Sequence, residues 1–245
     1  MNYPKPIYIP QTTSTNVSLA DICSKGEADN LTSVYSSFQT DGRGQRGNKW
    51  ESEDRKNLLF SFVIFPKGLP AKEHFILLQI TALALFETLT EYTDGISIKW
   101  PNDIYWMDKK ICGTLIENDL SGMNIERSIS GTGVNLNQKI FRSGAPNPVS
   151  LSQITGKEYD IETVLYKIMD YVNGYYGMFC NGESETIRKK YFDAIYRKDG
   201  FHTYKDDNGT FEAMIEDIEK DGRFILKDKE GNVRKYLFKE VSYII

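Results

Sequence analysis

Gly42-Arg-Gly-Gln-Arg-Gly47-Asn-Lys-Trp50, with the apolar run Leu58–Phe65 close behind it, is the stretch on which the fold turns. Glycine lets backbone N–H groups come close to an anion, and arginine adds a planar charged fork suited to phosphate and carboxylate oxygens. The spacing of Gly42, Gly44 and Gly47 also spells G-x-G-x-x-G, the dinucleotide fingerprint. That fingerprint needs a strand ahead of it and a helix opening on its last glycine. The strand-like Ser33–Gln39 precedes it, but Asn48-Lys-Trp-Glu-Ser-Glu-Asp-Arg-Lys56 carries no apolar helical period. A Walker A loop would end in Gly-Lys-Ser/Thr, and here Gly47 is followed by Asn48. Two readings stand: a loop that covers an anion on some other fold, or a solvated glycine-rich turn.

Around this loop the chain reads as α+β. A short strand at Ile7–Ile9 leads through Thr12-Thr-Ser-Thr-Asn16 into a helical stretch ending near Ser24. Hydroxyl residues at such a junction cap helices and also offer hydrogen bonds to a polar ligand. Ser33–Gln39 and Leu58–Phe65 read as strands. Lys72–Thr90 is apolar on nearly all sides and reads as a buried helix. Strand signals follow at Ile96–Trp100, Asp103–Trp106, Ile111–Glu117 and Ile125–Val134. The recurrence of Ile161, Val164, Leu165, Ile168, Met169 and Val172 predicts a helix, and another spans Glu185–Ile195. Past Asp199-Gly200, short alternating runs (Phe211–Ile218, Phe224–Leu226, Val233–Phe238) are parted by Asp221-Gly222 and Glu230-Gly231 turns, the pattern of a small β-barrel. The domains expected are therefore residues 1–198, and 199–245 as a small β module.

Bulk properties narrow the class. At 245 residues the chain can bury a full core, and a net charge of −4 speaks against a general nucleic-acid binder. Met1-Asn-Tyr-Pro-Lys-Pro6 has no apolar signal core, and no apolar stretch reaches the length of a membrane span, so a soluble cytoplasmic protein is expected. Cys23, Cys112 and Cys180 show no metal or redox spacing and read as reduced, mostly buried thiols. His74 and His202 read as structural residues, and no metal ligand is assigned directly.

Lys99-Trp-Pro-Asn-Asp103 is the second motif. Its proline interrupts strand pairing, so Asn102 and Asp103 sit where the backbone is not wholly committed to a ladder. Taking Met107-Asp108 as a two-residue turn pairs Tyr105 with Lys110 and sets Asp103, Tyr105, Lys110 and Cys112 on one face. A carboxylate and a lysine then lie near each other, either as a surface ion pair or as part of a site. Gly113 inside the following strand, and Ser130-Gly-Thr-Gly-Val-Asn135 further on, mark places where a ligand can approach a backbone closely.

Together these motifs resemble the biotin protein ligases. The matching pieces run in family order over nearly the whole chain: Ser14-Thr-Asn16, Gln39 ahead of the glycine loop with Trp50, Lys99-Trp-Pro-Asn-Asp103, Lys110-Ile-Cys-Gly113 leading to Glu117, Gly131-Thr-Gly-Val-Asn135, and Phe238-Lys-Glu-Val-Ser242. The resemblance implies a mixed or antiparallel sheet flanked by helices with an SH3-like C-terminal β-barrel. It also implies two reactions: biotin and MgATP give biotinyl-5′-adenylate, and biotin then passes to a lysine of a biotin carboxyl carrier protein or domain. ATP with Mg²⁺ and biotin are the implied small molecules. The chain would act as a monomer or homodimer.

The roles the resemblance implies follow residue by residue. Ser14, Thr15, Asn16, Gln39, Gly42, Arg43, Lys110, Gly113 and Gly133 would hold biotin, with the two strand glycines leaving room for its rings and valeryl chain. Arg43, Gly44, Gln45, Arg46, Trp50, Lys99, Asn102 and Asn135 would hold ATP or the adenylate. Lys110, Asp103 and Arg43 would carry the chemistry: Lys110 as principal electrostatic catalyst, Asp103 as the group that receives or orients the carrier lysine. One departure stands out, since Gln45 occupies a position often arginine in the family and supplies no charge. The motifs begin near residue 12, which leaves no space ahead of them for a helix-turn-helix domain, so DNA binding is not expected. Lipoate or octanoate ligation by a sister enzyme, and a non-catalytic biotin-sensing regulator, are the alternatives.

Overall fold

The computed structural model describes residues 2–44, 47–142 and 147–245. Strands β1 (Ile7–Thr12), β2 (Ser33–Gln39), β3 (Leu58–Ile64), β4 (Ile96–Lys99), β5 (Asp103–Trp106), β6 (Lys109–Ser121) and β7 (Asn124–Val134) build one sheet in the order β1-β2-β3-β7-β6-β5-β4. β1 and β2 run parallel, and the remaining neighbours pair antiparallel, so the sheet is mixed as expected.

Alternation along the strands sorts side chains to two faces. Leu58, Phe60, Phe62 and Ile64 of β3 join the main core, which also holds helices α2 (Phe75–Thr90), α4 (Ile161–Cys180) and α5 (Ser184–Asp193). α2 is buried on most sides because α4 and α5 cover what the sheet does not. Asp160 starts α4 as its N-cap, its side chain accepting a 2.8 Å hydrogen bond from the Thr163 N–H. On the opposite face, helix α1 (Thr15–Ser24) seals a second, small cluster of Leu19, Val34, Val63 and Ile129. That face is only partly covered, and the open part becomes the site.

The C-terminal residues form a five-stranded antiparallel sheet ordered β11-β10-β9-β8-β12, from β8 (His202–Asp206), β9 (Gly209–Ile218), β10 (Phe224–Asp228), β11 (Val233–Tyr236) and β12 (Ser242–Tyr243). This agrees with an SH3-like module. Among the described residues its pairing runs from β11 to β12 without closing into a barrel. Trp100 joins the two sheets: its ring stacks on Phe224 at 4.8 Å, and its Nε1 donates to the Gly222 carbonyl at 3.0 Å.

Several local expectations need correction. β1 continues to Thr12, and β6 and β7 extend to a tight hairpin tip beyond Glu117. The stretch from Lys72 begins as a 3₁₀ turn (Ala71–Glu73) before α2. A short capped helix, α3 (Leu151–Thr155), and strands β8 and β12 lacked a sequence signal long enough to find. Of the cysteines only Cys112 is buried, while Cys23 is partly covered and Cys180 exposed. Among the described residues no helix is long and apolar enough to cross a membrane.

Candidate functional site

The floor of the site is a patch of sheet built around three glycines. Gly113 of β6 pairs with Gly133 of β7, and Leu115 pairs with Gly131, which in turn lies opposite Ser61 of β3. Period-two alternation puts all of these on the α1 side of the sheet. Three glycines there lower the surface by a side chain's depth.

A β-bulge sets the register. Tyr105 pairs with Lys110 as the two-residue turn predicts, but Ile104 pairs with Cys112 and Asp103 with Gly113. The extra residue, Ile111, reverses the face of everything after it. Cys112, expected beside Asp103, is therefore buried in the main core, where desolvation pushes its thiol up. Gly113 takes the position facing Asp103. Lys110 Nζ meets Asp103 Oδ1 at 2.6 Å, and both side chains are about three-quarters buried.

At one end of the floor, Ser14 caps α1 in extended backbone, which turns Thr15 and Asn16 inward. A polar chain runs from there. Gln39 Oε1 accepts from the Thr15 N–H at 2.8 Å and from its hydroxyl at 3.1 Å. Ser61 Oγ lies 2.7 Å from Thr15 Oγ1 and 2.6 Å from Asn16 Oδ1, and Asn16 Nδ2 donates to Glu117 Oε2 at 2.6 Å. Gly131 is required beneath it, because a Cβ there would come within 2.0 Å of Asn16 Oδ1. Both ends of the Asn16 amide are thus engaged inside the protein.

The glycine loop folds back on itself. Trp50 N–H donates to the Gly42 carbonyl at 2.9 Å, Gly44 N–H to the Asn48 carbonyl at 2.6 Å, and Arg43 bridges to Lys49. This lays the Trp50 indole on the floor, where a Cβ on Gly133 would meet it at 2.2 Å and one on Gly113 at 3.1 Å. The space expected to receive a ligand's rings holds that indole, whose buried Nε1 has no hydrogen-bond partner among the described residues. Arg43 is half-exposed and 4.0 Å from Asp41. Gln45 and Arg46 lie outside the described residues.

Opposite the polar chain stand the residues of the second motif. Tyr191 OH donates to the Pro101 carbonyl at 2.7 Å and Asn102 Nδ2 to the Thr114 carbonyl, holding the segment rigid. Lys99 Nζ donates to Tyr105 OH at 3.1 Å and lies 4.7 Å and 5.3 Å from the Tyr105 and Tyr243 ring centres. Burial holds its ammonium below the ordinary lysine range, with the Asp103 charge opposing that shift. Asn135 donates through Nδ2 to the Val149 carbonyl, and its buried Oδ1 has no partner among the described residues.

Most of these residues line one cavity of about 830 Å³, with Ser61, Glu117 and Tyr191 supporting the lining from behind. Every described residue proposed from the sequence borders it except Gly42, which is buried behind Trp50 and Gln39. Among the described residues, no three His, Cys, Asp or Glu side chains gather to hold a resident metal ion. Asp103 is the carboxylate nearest Lys110.

The model of the biotin/lipoate A/B protein ligase family matches residues 8–135, more than half of the chain. The chain belongs to this family. It is similar to the bifunctional ligase/repressor BirA of Salmonella typhimurium, 32% identical over 129 residues, which cover 52% of this chain and 39% of that protein. A biotin–[acetyl-CoA-carboxylase] ligase of Paracoccus denitrificans is 34% identical over 141 residues, covering 54% of this chain and 57% of that one. The chain thus spans about two fifths and under three fifths of these relatives' lengths. Among solved structures, the biotin protein ligase of Aquifex aeolicus in complex with biotin and ATP superposes with a TM-score of 0.79 at 26% identity, over 98% of each chain.

Sequence reasoning missed several residues of this family member's cavity. Ser61, which holds the lining residues Thr15 and Asn16 from behind, left a signal as the lone polar residue inside an apolar strand run. Leu115 follows from Gly113 by alternation once the bulge is known, beside Gly131, which already stands in the Ser130–Asn135 motif. Lys239 and Ser242 stand in the Phe238–Ser242 piece of the resemblance without a site role, and they and Tyr243 arrive from the C-terminal sheet, where no local periodicity points to the pocket.

Proposed function

We propose that the chain is an ATP-dependent biotin protein ligase, carried by one observation: a glycine-lined floor that runs from a hydrogen-bonding end to the Lys110–Asp103 pair within a single cavity. The ureido group of biotin has two N–H donors and one carbonyl acceptor to satisfy. Ser14, Thr15 and Gln39 supply matching groups, with Asn16 held as a positioning residue by Ser61 and Glu117. The Trp50 indole gives way to the bicyclic ring over Gly133 and Gly113.

In the first reaction a biotin carboxylate oxygen attacks the α-phosphorus of MgATP, and the bond to the β-phosphate oxygen breaks, releasing pyrophosphate. Lys110 has three N–H donors and gives one to Asp103, so two remain for the meeting anions. Positive charge fixed there offsets their repulsion and stabilises the crowded phosphorus centre. Arg43, Lys99, Asn102 and Asn135 hold the nucleotide, and Mg²⁺ enters on its phosphates with its own water. In the second reaction the amine of a carrier lysine attacks the anhydride carbonyl, and AMP leaves. Asp103 accepts the amine's proton. Residues 1–198 form the ligase unit and 199–245 a module that completes its wall, acting in the cytoplasm on a biotin carboxyl carrier domain.

Pyrophosphate exchange into ATP, measured with biotin, lipoate and octanoate in turn, tests this reading. Exchange stimulated by biotin alone is expected. Exchange with another acid would move the chain to a sister activity, and tight biotin binding without exchange would make it a sensor.

A further inference from the structure

Lys239 stands in an unusual place. The turn Leu237–Glu240 links β11 to β12, closed by the Glu240 N–H to the Leu237 carbonyl at 3.1 Å and by the Leu237 N–H to Glu240 Oε2 at 2.6 Å. Its third residue, Lys239, has φ of 73°, the left-handed region where glycine is favoured and a lysine is strained. Side chains kept in that region against their preference cluster at ligand clamps.

The turn borders the same cavity as the second motif. Phe238 packs edge-on to Trp100 at 6.0 Å, Val241 is buried, and Ser242 and Tyr243 pair with β8. This anchors the turn on both sides. Glu240 is engaged in closing the turn, so Lys239 is the charged group the turn presents. Among the described residues the cavity is bordered by Arg43, Lys49, Lys99, Lys110 and Lys239 against the carboxylates Glu51 and Asp103. On a chain of net charge −4, such an excess of cations matches a polyanionic ligand.

We propose that Lys239 is a further binding residue for the nucleotide, holding the polyphosphate end of ATP from the C-terminal sheet while Lys99 holds it from the other wall. The proposal rests on the ligase reading for the identity of the anion. Lys239→Gly removes the charge and relieves the backbone, so the turn stays formed. Calorimetric titration with MgATP, alongside KM values for ATP and biotin in pyrophosphate exchange, reads the effect. The expected result is ATP binding weakened about five-fold, as for a partly exposed ion contact, with biotin's KM and the melting temperature held or improved. Lys239→Arg should keep most of the ATP affinity. Unchanged ATP affinity in Lys239→Gly would overturn the proposal, as would an equal loss for both substrates with a lowered melting temperature. If the wild-type chain binds ATP but shows no biotin-dependent exchange, the ligase reading fails, and the titration still decides whether Lys239 holds phosphate.

Discussion

Gly131→Ala adds one methyl group to a strand whose backbone accepts alanine, so its effect comes from contact alone. The new Cβ would lie 2.0 Å from Asn16 Oδ1 and 2.7 Å from its Cγ, far inside any ordinary carbon contact. The Asn16 amide must therefore withdraw by roughly 1 Å, breaking its bonds to Ser61 and Glu117, both 2.6 Å long. A neutral buried bond contributes about 1 kcal/mol, and one to a carboxylate somewhat more. Glu117 is exposed and regains water, which holds its share to the low end. The sum is about 2 kcal/mol, or a fall in melting temperature of about 4–8 °C for a chain of this size. The displacement also drags Thr15 and its contact with Gln39, so the KM for biotin should rise with little change in the KM for ATP. The decisive assay is a double-mutant cycle by thermal or urea unfolding. Asn16→Ala removes the obstacle, so Asn16→Ala/Gly131→Ala should be no less stable than Asn16→Ala alone, a coupling of about 2 kcal/mol. Additive losses in the double variant, or a Gly131→Ala protein as stable as wild type, would refute the reasoning.

Three further outcomes are expected. Lys110→Ala should lower biotin-dependent pyrophosphate exchange by about 10³-fold, the worth of a unit charge about 4 Å away at an effective dielectric constant near 20, while circular dichroism stays native; a variant within ten-fold of wild type would remove Lys110 from the chemistry. Asp103→Asn keeps an oxygen for Lys110 but accepts no proton, so single-turnover transfer from preformed adenylate should fall more than adenylate formation, and equal losses would count against its role as the base. Burial depresses the pKa of Lys99, so its charge detracts from stability below that pKa, and the contribution recovers as pH rises toward the free-lysine value. If Lys99 holds ATP as proposed, the same depression should make that binding fade early on the alkaline side: the KM for ATP should rise below the ordinary lysine range, and Lys99→Arg should move that rise to higher pH. An unmoved alkaline limb would show that another group controls it.

Much of the site was legible in the order of residues because chemistry there depends on residue type at short range. The glycine loop, Lys99-Trp-Pro-Asn-Asp103 and Gly131-Thr-Gly-Val-Asn135 each announce an irregular or side-chain-poor backbone, and such backbones serve ligands. The strands, the main helices and the small C-terminal β module were also readable, since period-two and helical alternation follow directly from which side chains must be buried; the mixed sheet was implied by the family resemblance alone. The strand from Ile111, by contrast, carries no local mark of its bulge, so alternation alone places Cys112 on the wrong face. A bulge answers to the partner strand and the core behind it. The sequence by itself determined the composition of the site: which groups can bear charge, which can donate hydrogen bonds, and where the backbone lies bare. Only the tertiary structure decided their arrangement. It brought Gly113 opposite Asp103, laid the Trp50 indole on the glycine floor, locked Asn16 between Ser61 and Glu117, and carried Lys239 to the cavity wall from the far end of the chain. Contacts between residues distant in sequence are chosen by the packing of whole elements, and no window along the chain contains that information.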